Sequence, residues 1–188
     1  MGQIYRTNCP ICGSPNILVN QHSEEIPYFG PIIILTIRCD VCGFKDNDLI
    51  PVNIQEPKTY KVKVKNVEDL NIKVIRSSSG FIEIPELGVE ITPGPYAQGF
   101  ITNIEGLLDR IEEVLKAKMD DEHEKTKCEK FLLKLKKAKE GKFPFTVVLK
   151  DPAGTSALVS EKGKVEAKKM SKKEVEKFSK NLGLMTYE

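Results

Sequence analysis

The chain has 188 residues, 40% hydrophobic and 30% charged, with 29 basic against 27 acidic side chains and a net charge of +2. This is the composition of a soluble globular protein; it gives no strong electrostatic signature for nucleic acid, and the longest largely apolar run, Ile32 to Ile37, is far too short to span a bilayer. Only Arg6, Arg38, Arg76 and Arg110 are arginines, which counts against a protein that reads base edges with guanidinium forks.

The first element in chain order is a duplicated thiol pattern. Cys9-Pro-Ile-Cys12-Gly13 and Cys39-Asp-Val-Cys42-Gly43 are two copies of one short motif. In each, two residues between the thiolates let the chain reverse, and the following glycine supplies the backbone freedom that turns N–H groups toward sulfur. Four thiolates at this spacing predict one closed, structural Zn2+ site with no open position for water. Two disulfides or a redox pair are the competing readings. No secretory leader opens the sequence, so the cytoplasm is the expected compartment, and no βαβ context surrounds either pair.

The zinc ribbon is expected to occupy residues 1–56. Twenty-six residues separate Cys12 from Cys39, more than the roughly 15–20 common for such ribbons. Ile17 to Val19 and Ile32 to Ile37 predict an antiparallel pair, and His22 to Pro31 shows neither helical nor strand period. Pro27, Tyr28 and Phe29 lie in that stretch, and such stiff apolar side chains need cover, from this chain or from a partner. His22 is expected at the surface, because four cysteines already close the site.

Residues 57–165 read as a β domain. Tyr60-Lys-Val-Lys-Val64 alternates with period two, and 72–75, 81–84 and 88–91 continue as short strands between turns rich in Ser, Gly and Pro. A helical hairpin is inserted at about 102–140. Thr102-Asn-Ile-Glu105 reads as a capping box, followed by a stripe of Ile104, Leu107, Leu108, Ile111, Val114 and Leu115. A second helix carries Cys128, Phe131, Leu132, Leu135 and Ala138, which makes Cys128 a buried core thiol, and Gly141 is its stop. Its lysine-rich outer face reads as a solvated surface. Phe143 to Leu149 resumes as a strand, Asp151-Pro-Ala-Gly154 is a sharp turn, and 155–159 returns to the sheet. Residues 166–188 form a basic tail with a short helix capped by Ser171 and Glu174.

Taken in order from Cys9 to Gly154, these landmarks resemble a known family. The paired Cys-x-x-Cys with Ile26-Pro-Tyr-Phe29, then Arg76-Ser77, Ile84-Pro-Glu-Leu87 with Glu90, Thr102 with Glu105-Gly-Leu-Leu108, and Asp151-Pro-Ala-Gly154 are similar to the zinc-finger proteins of the ZPR type. Eukaryotic members carry two tandem modules; one is present here, as in an archaeal form. The chain departs from the family at Thr155-Ser156, where Asn-Ser is usual. The resemblance implies a mainly β protein with α elements: a four-cysteine zinc ribbon, then a double-stranded β-helix, jelly-roll-like, with an inserted helical hairpin.

It also implies a binding protein rather than an enzyme, one that binds the translation GTPase elongation factor 1-alpha and assists its folding or maturation. Pro27, Tyr28, Phe29, Arg76, Asp151 and Gly154 are then the candidate partner contacts. The alternative is a nucleic-acid-binding zinc ribbon of transcription or translation, using the lysine-rich tail against phosphates. No Gly-rich phosphate loop, G-x-S-x-G or His-rich metal site is present to support catalysis.

Overall fold

The computed structural model describes residues 3–15, 17–27, 29–53, 56–94, 97–117 and 122–182. A four-stranded antiparallel sheet comes first, in the order β1 (Gln3–Thr7), β2 (Ile17–Ile26), β3 (Gly30–Cys39), β4 (Lys45–Pro51). The expected pair is therefore longer and flanked. β2 runs on through His22 to Ile26, paired with β3 from Ile17↔Cys39 to Ile26↔Gly30. His22-Ser-Glu-Glu25 carries no apolar alternation because its side chains face water; the Ile-rich β3 supplies the apolar side of the ladder. The irregular stretch shrinks to a tight turn, closed by Phe29 N–H donating to the Ile26 carbonyl at 3.0 Å.

The rest of the chain builds two further sheets. The larger has the order β12 (Glu166–Lys169), β5 (Lys58–Val64), β10 (Phe145–Asp151), β7 (Phe81–Ile84), β8 (Val89–Ile91). The smaller is β11 (Ala157–Val159), β6 (Lys73–Arg76), β9 (Phe100–Asn103). Tyr60, Val62 and Val64 of β5 are buried while Lys61 and Lys63 are exposed, as period two requires. β10 sits at the centre and buries Phe145, Val147, Leu149 and Asp151. Residues 166–169 belong to the main sheet through β12, so the segment expected as a tail begins inside the domain. Beyond it α3 (Lys172–Asn181) has the expected capping box between Ser171 and Glu174 and packs Phe178 edge-on against Phe81 at 4.8 Å.

Between β9 and β10 stands the helical hairpin, α1 (Ile104–Ala117) and α2 (Glu122–Lys139). Ile104, Leu107, Leu108 and Ile111 enter the core, and Cys128, Leu135 and Ala138 are buried from the other leg. Val114, expected on the buried stripe, is 59% exposed, while Leu115 beside it still packs against the core. The N-cap also differs by one residue. Thr102 is held in the β6–β9 ladder opposite Val74, and Asn103 caps instead, its Oδ1 accepting from Gly106 N–H at 2.8 Å. Gly106 is needed there, since a Cβ would stand 2.2 Å from Thr102 Oγ1. α2 stops at Gly141, at φ +69°, with Lys142 N–H returning to the Lys137 carbonyl. Lys139 ties the legs together through Asp109 and Glu112 of α1.

The packing predicts that Leu107→Ala costs about 2–5 kcal/mol of unfolding free energy in chemical denaturation, whereas Val114→Ala, two turns further along the helix and largely exposed, changes it by about 0.5 kcal/mol or less.

Candidate metal centre

The two knuckles have the same backbone plan. Gly13 N–H donates to the Cys9 carbonyl at 2.9 Å and Gly43 N–H to the Cys39 carbonyl at 3.0 Å; Cys9 and Cys39 N–H reach forward to the carbonyls of Ser14 and Phe44, both at 2.8 Å. Gly13 and Gly43 take φ values of +71° and +74°, the left-handed region open to glycine. Each pair thus offers one buried thiol, Cys9 or Cys39, and one exposed thiol, Cys12 or Cys42.

β2 and β3 bring the knuckles face to face. The four Sγ atoms all lie within 4.8 Å of one another, with Cys9–Cys42 and Cys12–Cys39 at 3.7 Å. No pair is a disulfide. A tetrahedron of sulfurs around an ion with bonds of about 2.3 Å has edges of about 3.8 Å, so the donor set and its spacing fit one thiophilic, tetrahedral ion. With four protein ligands no position is left for a reacting water, and the centre is structural.

Electrostatics favours the ion over the empty thiols. Burial presses Cys9 upward, but N–H groups of Cys12 and Ile11 and the neighbouring thiols outweigh it and leave Cys9 at about 7. Phe44 N–H pulls Cys42 down, yet burial and the three surrounding thiols push it up to about 12. Four thiolates cannot share this volume without a cation. Apart from the metal the ribbon has a small core of its own, Cys9, Ile17 and Cys39 with Ile37 and Phe44 against them.

The other candidate contacts divide sharply. Pro27 is exposed, and Tyr28 lies outside the described residues. Phe29 is buried in one cluster with Ile32 and Leu49 of the ribbon and Tyr60 and Leu158 of the jelly roll, so it fills the joint between the modules and offers no free face. Arg76, Asp151 and Gly154 are buried too. Asp151 is wholly enclosed and accepts from Ser79 Oγ at 2.7 Å, Ala153 N–H at 2.9 Å, Thr155 N–H at 2.8 Å, Thr155 Oγ1 at 3.0 Å and Ser77 Oγ at 3.3 Å. Ser156 closes the cluster by accepting from Ser77 N–H. Gly154 makes the turn at φ +70° that folds Thr155 back onto the carboxylate.

Arg76 carries this cluster to the ribbon. Its Nε donates to the Gly80 carbonyl and its Nη1 to the Gln98 carbonyl, and its guanidinium lies 5.5 Å from the centre of the Phe100 ring. Burial draws its pKa down, against the pull of the Asp151 charge. Gln98 and Gly99 in turn grip β4: Gln98 Nε2 donates to the Lys45 carbonyl and Gly99 N–H to the Asn47 carbonyl. At Gly99 a Cβ would sit 3.0 Å from Leu49 N and 3.3 Å from the Arg76 carbonyl, so glycine is what permits the close approach. Neither Gln98 nor Gly99 is marked in the sequence: Gly99 acts through its N–H, and Gln98 through its carbonyl and a side-chain amide like that of any surface glutamine.

Comparison with known proteins follows this division into two modules. Residues 3–55 match the family model described as the ZPR1 zinc-finger domain, and residues 68–184 the ZPR1 jelly-roll domain. A ZPR1-like protein of Methanocaldococcus jannaschii is 42% identical over 189 residues, covering 98% of this chain and 94% of that one. A ZPR1-like protein of Pyrococcus horikoshii is 43% identical over 92% of this chain and 80% of its own length. The zinc finger chaperone of Schizosaccharomyces pombe is 31% identical over 82% of this chain, which spans 35% of that longer protein.

Uptake of an ion must expel the protons that the crowded thiols retain at neutral pH, so affinity falls as pH falls. Titration of the metal-free protein with zinc at pH 7 should release about two protons or more per ion, with the affinity dropping roughly a hundredfold by pH 6; Cys39→Ser should abolish stoichiometric uptake.

Proposed function

The chain belongs to the ZPR1 family of zinc-finger proteins, and on that premise we propose that it holds one structural zinc ion, binds the translation GTPase elongation factor 1-alpha in the cytoplasm and assists its folding or maturation. The observation that carries the reading is the joining of both family modules in one chain by the Arg76–Gln98–Gly99 contacts. A relative named as a chaperone matches this chain over most of its length. The metal makes the ribbon rigid, and the Arg76–Gln98–Gly99 contacts fix its angle on the jelly roll. A protein built this way acts as a shaped surface.

Binding rather than catalysis also fits the interior. The enclosed Asp151 carboxylate is spent on five hydrogen bonds, and the hydroxyls around it bond to one another or to it, leaving no group poised to take a proton from a substrate. His22 lies on the outer surface of β2, paired with Glu24.

Since Phe29, Arg76 and Asp151 are interior, the contact surface is drawn from the exposed groups near them and at the knuckles. Pro27 stands at the β2–β3 turn. Ile11 and Val41 occupy the same position in the two knuckles and are 57% and 71% exposed, beside the exposed thiols Cys12 and Cys42. Such paired apolar tips on a metal-stiffened loop suit a partner that offers apolar surface before it is fully folded.

The zinc-loaded protein should retain purified elongation factor 1-alpha from an archaeal source at both 50 and 300 mM salt, and should raise the yield of nucleotide-binding GTPase after dilution from denaturant. Ile11→Ser with Val41→Ser is expected to weaken the complex tenfold or more with zinc content unchanged. Failure to retain the GTPase at either salt would sink the proposal.

A further inference from the structure

Helix α2 turns Cys128, Leu135 and Ala138 into the protein. Its outer face carries Lys127, Lys130, Lys134 and Lys137, all exposed. Spacings of three, four and three residues place these lysines in one row along the helix. At 1.5 Å per residue the row is about 15 Å long. Lys136 stands beside it, and Glu129 is the sole acidic residue between Lys127 and Lys139.

Among the described residues the row makes no ion pair, and only at its C-terminal end does a carboxylate, Glu140, act on Lys136 and Lys137. Lys139 is taken up by Asp109 and Glu112, and Lys116 by Glu112, whereas no described carboxylate forms an ion pair with Lys127, Lys130, Lys134, Lys136 or Lys137. Like charges at these spacings weaken a helix by a few tenths of a kcal/mol per pair. The helix dipole offsets that for cations in the last turn, such as Lys136 and Lys137. It gives nothing to Lys127, Lys130 and Lys134.

We infer that this lysine row on α2 binds the phosphate backbone of double-stranded nucleic acid without sequence preference. A duplex presents one negative charge per about 1.7 Å of its axis, so a straight row of this length faces several phosphates at once. Lysines act there as point charges, and with no arginine on the face there is no fork to read a base edge. Single strands are disfavoured, because among the described residues no exposed aromatic ring borders the row for bases to stack on. A membrane surface is disfavoured as well. The apolar face of α2 is already buried, leaving Leu133, 63% exposed, as the one large apolar side chain free to enter lipid from the described part of this helix. An acidic protein segment lacks the regular charge spacing that a rigid duplex keeps over the whole row.

The test uses the full-length, zinc-loaded protein and fluorescein-labelled 20-base-pair duplexes, two unrelated DNA sequences and their RNA counterparts, followed by polarisation. All four should bind at 50 mM salt, and with about four phosphates neutralised the affinity should fall roughly a hundredfold by 200 mM. Lys130→Glu with Lys134→Glu should weaken binding tenfold or more at 50 mM and flatten the salt dependence by about two phosphates. Lys172→Glu with Lys173→Glu in α3 should leave both unchanged. The inference is overturned by absence of duplex binding at 50 mM, by an unaffected α2 variant, or by binding of RNA alone, which would move recognition to the 2′-hydroxyl. Tighter binding to polyglutamate or to phosphatidylserine vesicles than to duplex at the same salt would also overturn it.

Discussion

A carboxylate shut away from water has to be satisfied on every side, and Asp151 is shut away completely. Its charge is met by hydroxyl and N–H donors from two turns distant in sequence, 77–79 and 153–155, which it therefore locks against each other. The residue at the head of the first turn, Arg76, projects through the same region to the Gln98 carbonyl. One buried charge thus sets the geometry of the loop that receives the ribbon. Removing it would leave several buried donors unpaired at once, a cost far above that of one lost hydrogen bond.

The ribbon contributes little hydrophobic stabilisation of its own. Three buried residues with two flanking ones are its independent core, and its other buried apolar residues, Phe29, Ile32 and Leu49, belong to the cluster shared with the jelly roll. A sheet with so small a core depends on the metal at one end and the joint at the other. That division explains why the apolar residues left exposed on the knuckles can face outward without unravelling the fold.

What the sequence reveals follows the range of the interactions. The cysteine pairs are legible because metal ligation imposes a local spacing, and β5, α1 and α3 because burial imposes a period or a cap within a few residues. Strands β1, β4 and β12 are nearly invisible: Lys45-Asp-Asn-Asp48 and Glu166-Ala-Lys-Lys169 are polar edges that owe their form to a neighbouring ladder. The cap of α1 moved from Thr102 to Asn103 because a tertiary pairing claimed the threonine. Phe29, Arg76 and Asp151 show the other limit. A motif made of aromatic, basic and acidic residues looks the same whether it faces a partner or joins two parts of one chain. Thr155 and Ser156 each supply a hydroxyl to the buried cluster, beside those of Ser77 and Ser79.

The central position of β10 has a consequence for biosynthesis. Its register joins Val64 to Phe145 and Lys58 to Asp151, so β5 leaves the ribosome long before its neighbour and waits until the entire helical hairpin has been made. The ribbon has no such wait. Its strands pair with their sequence neighbours and its ligands are complete by Cys42. Metal capture is therefore an early, local event, while closure of the jelly roll is late and nonlocal. During synthesis the metal-bearing end is finished first and stands ready while the rest of the molecule is still being assembled.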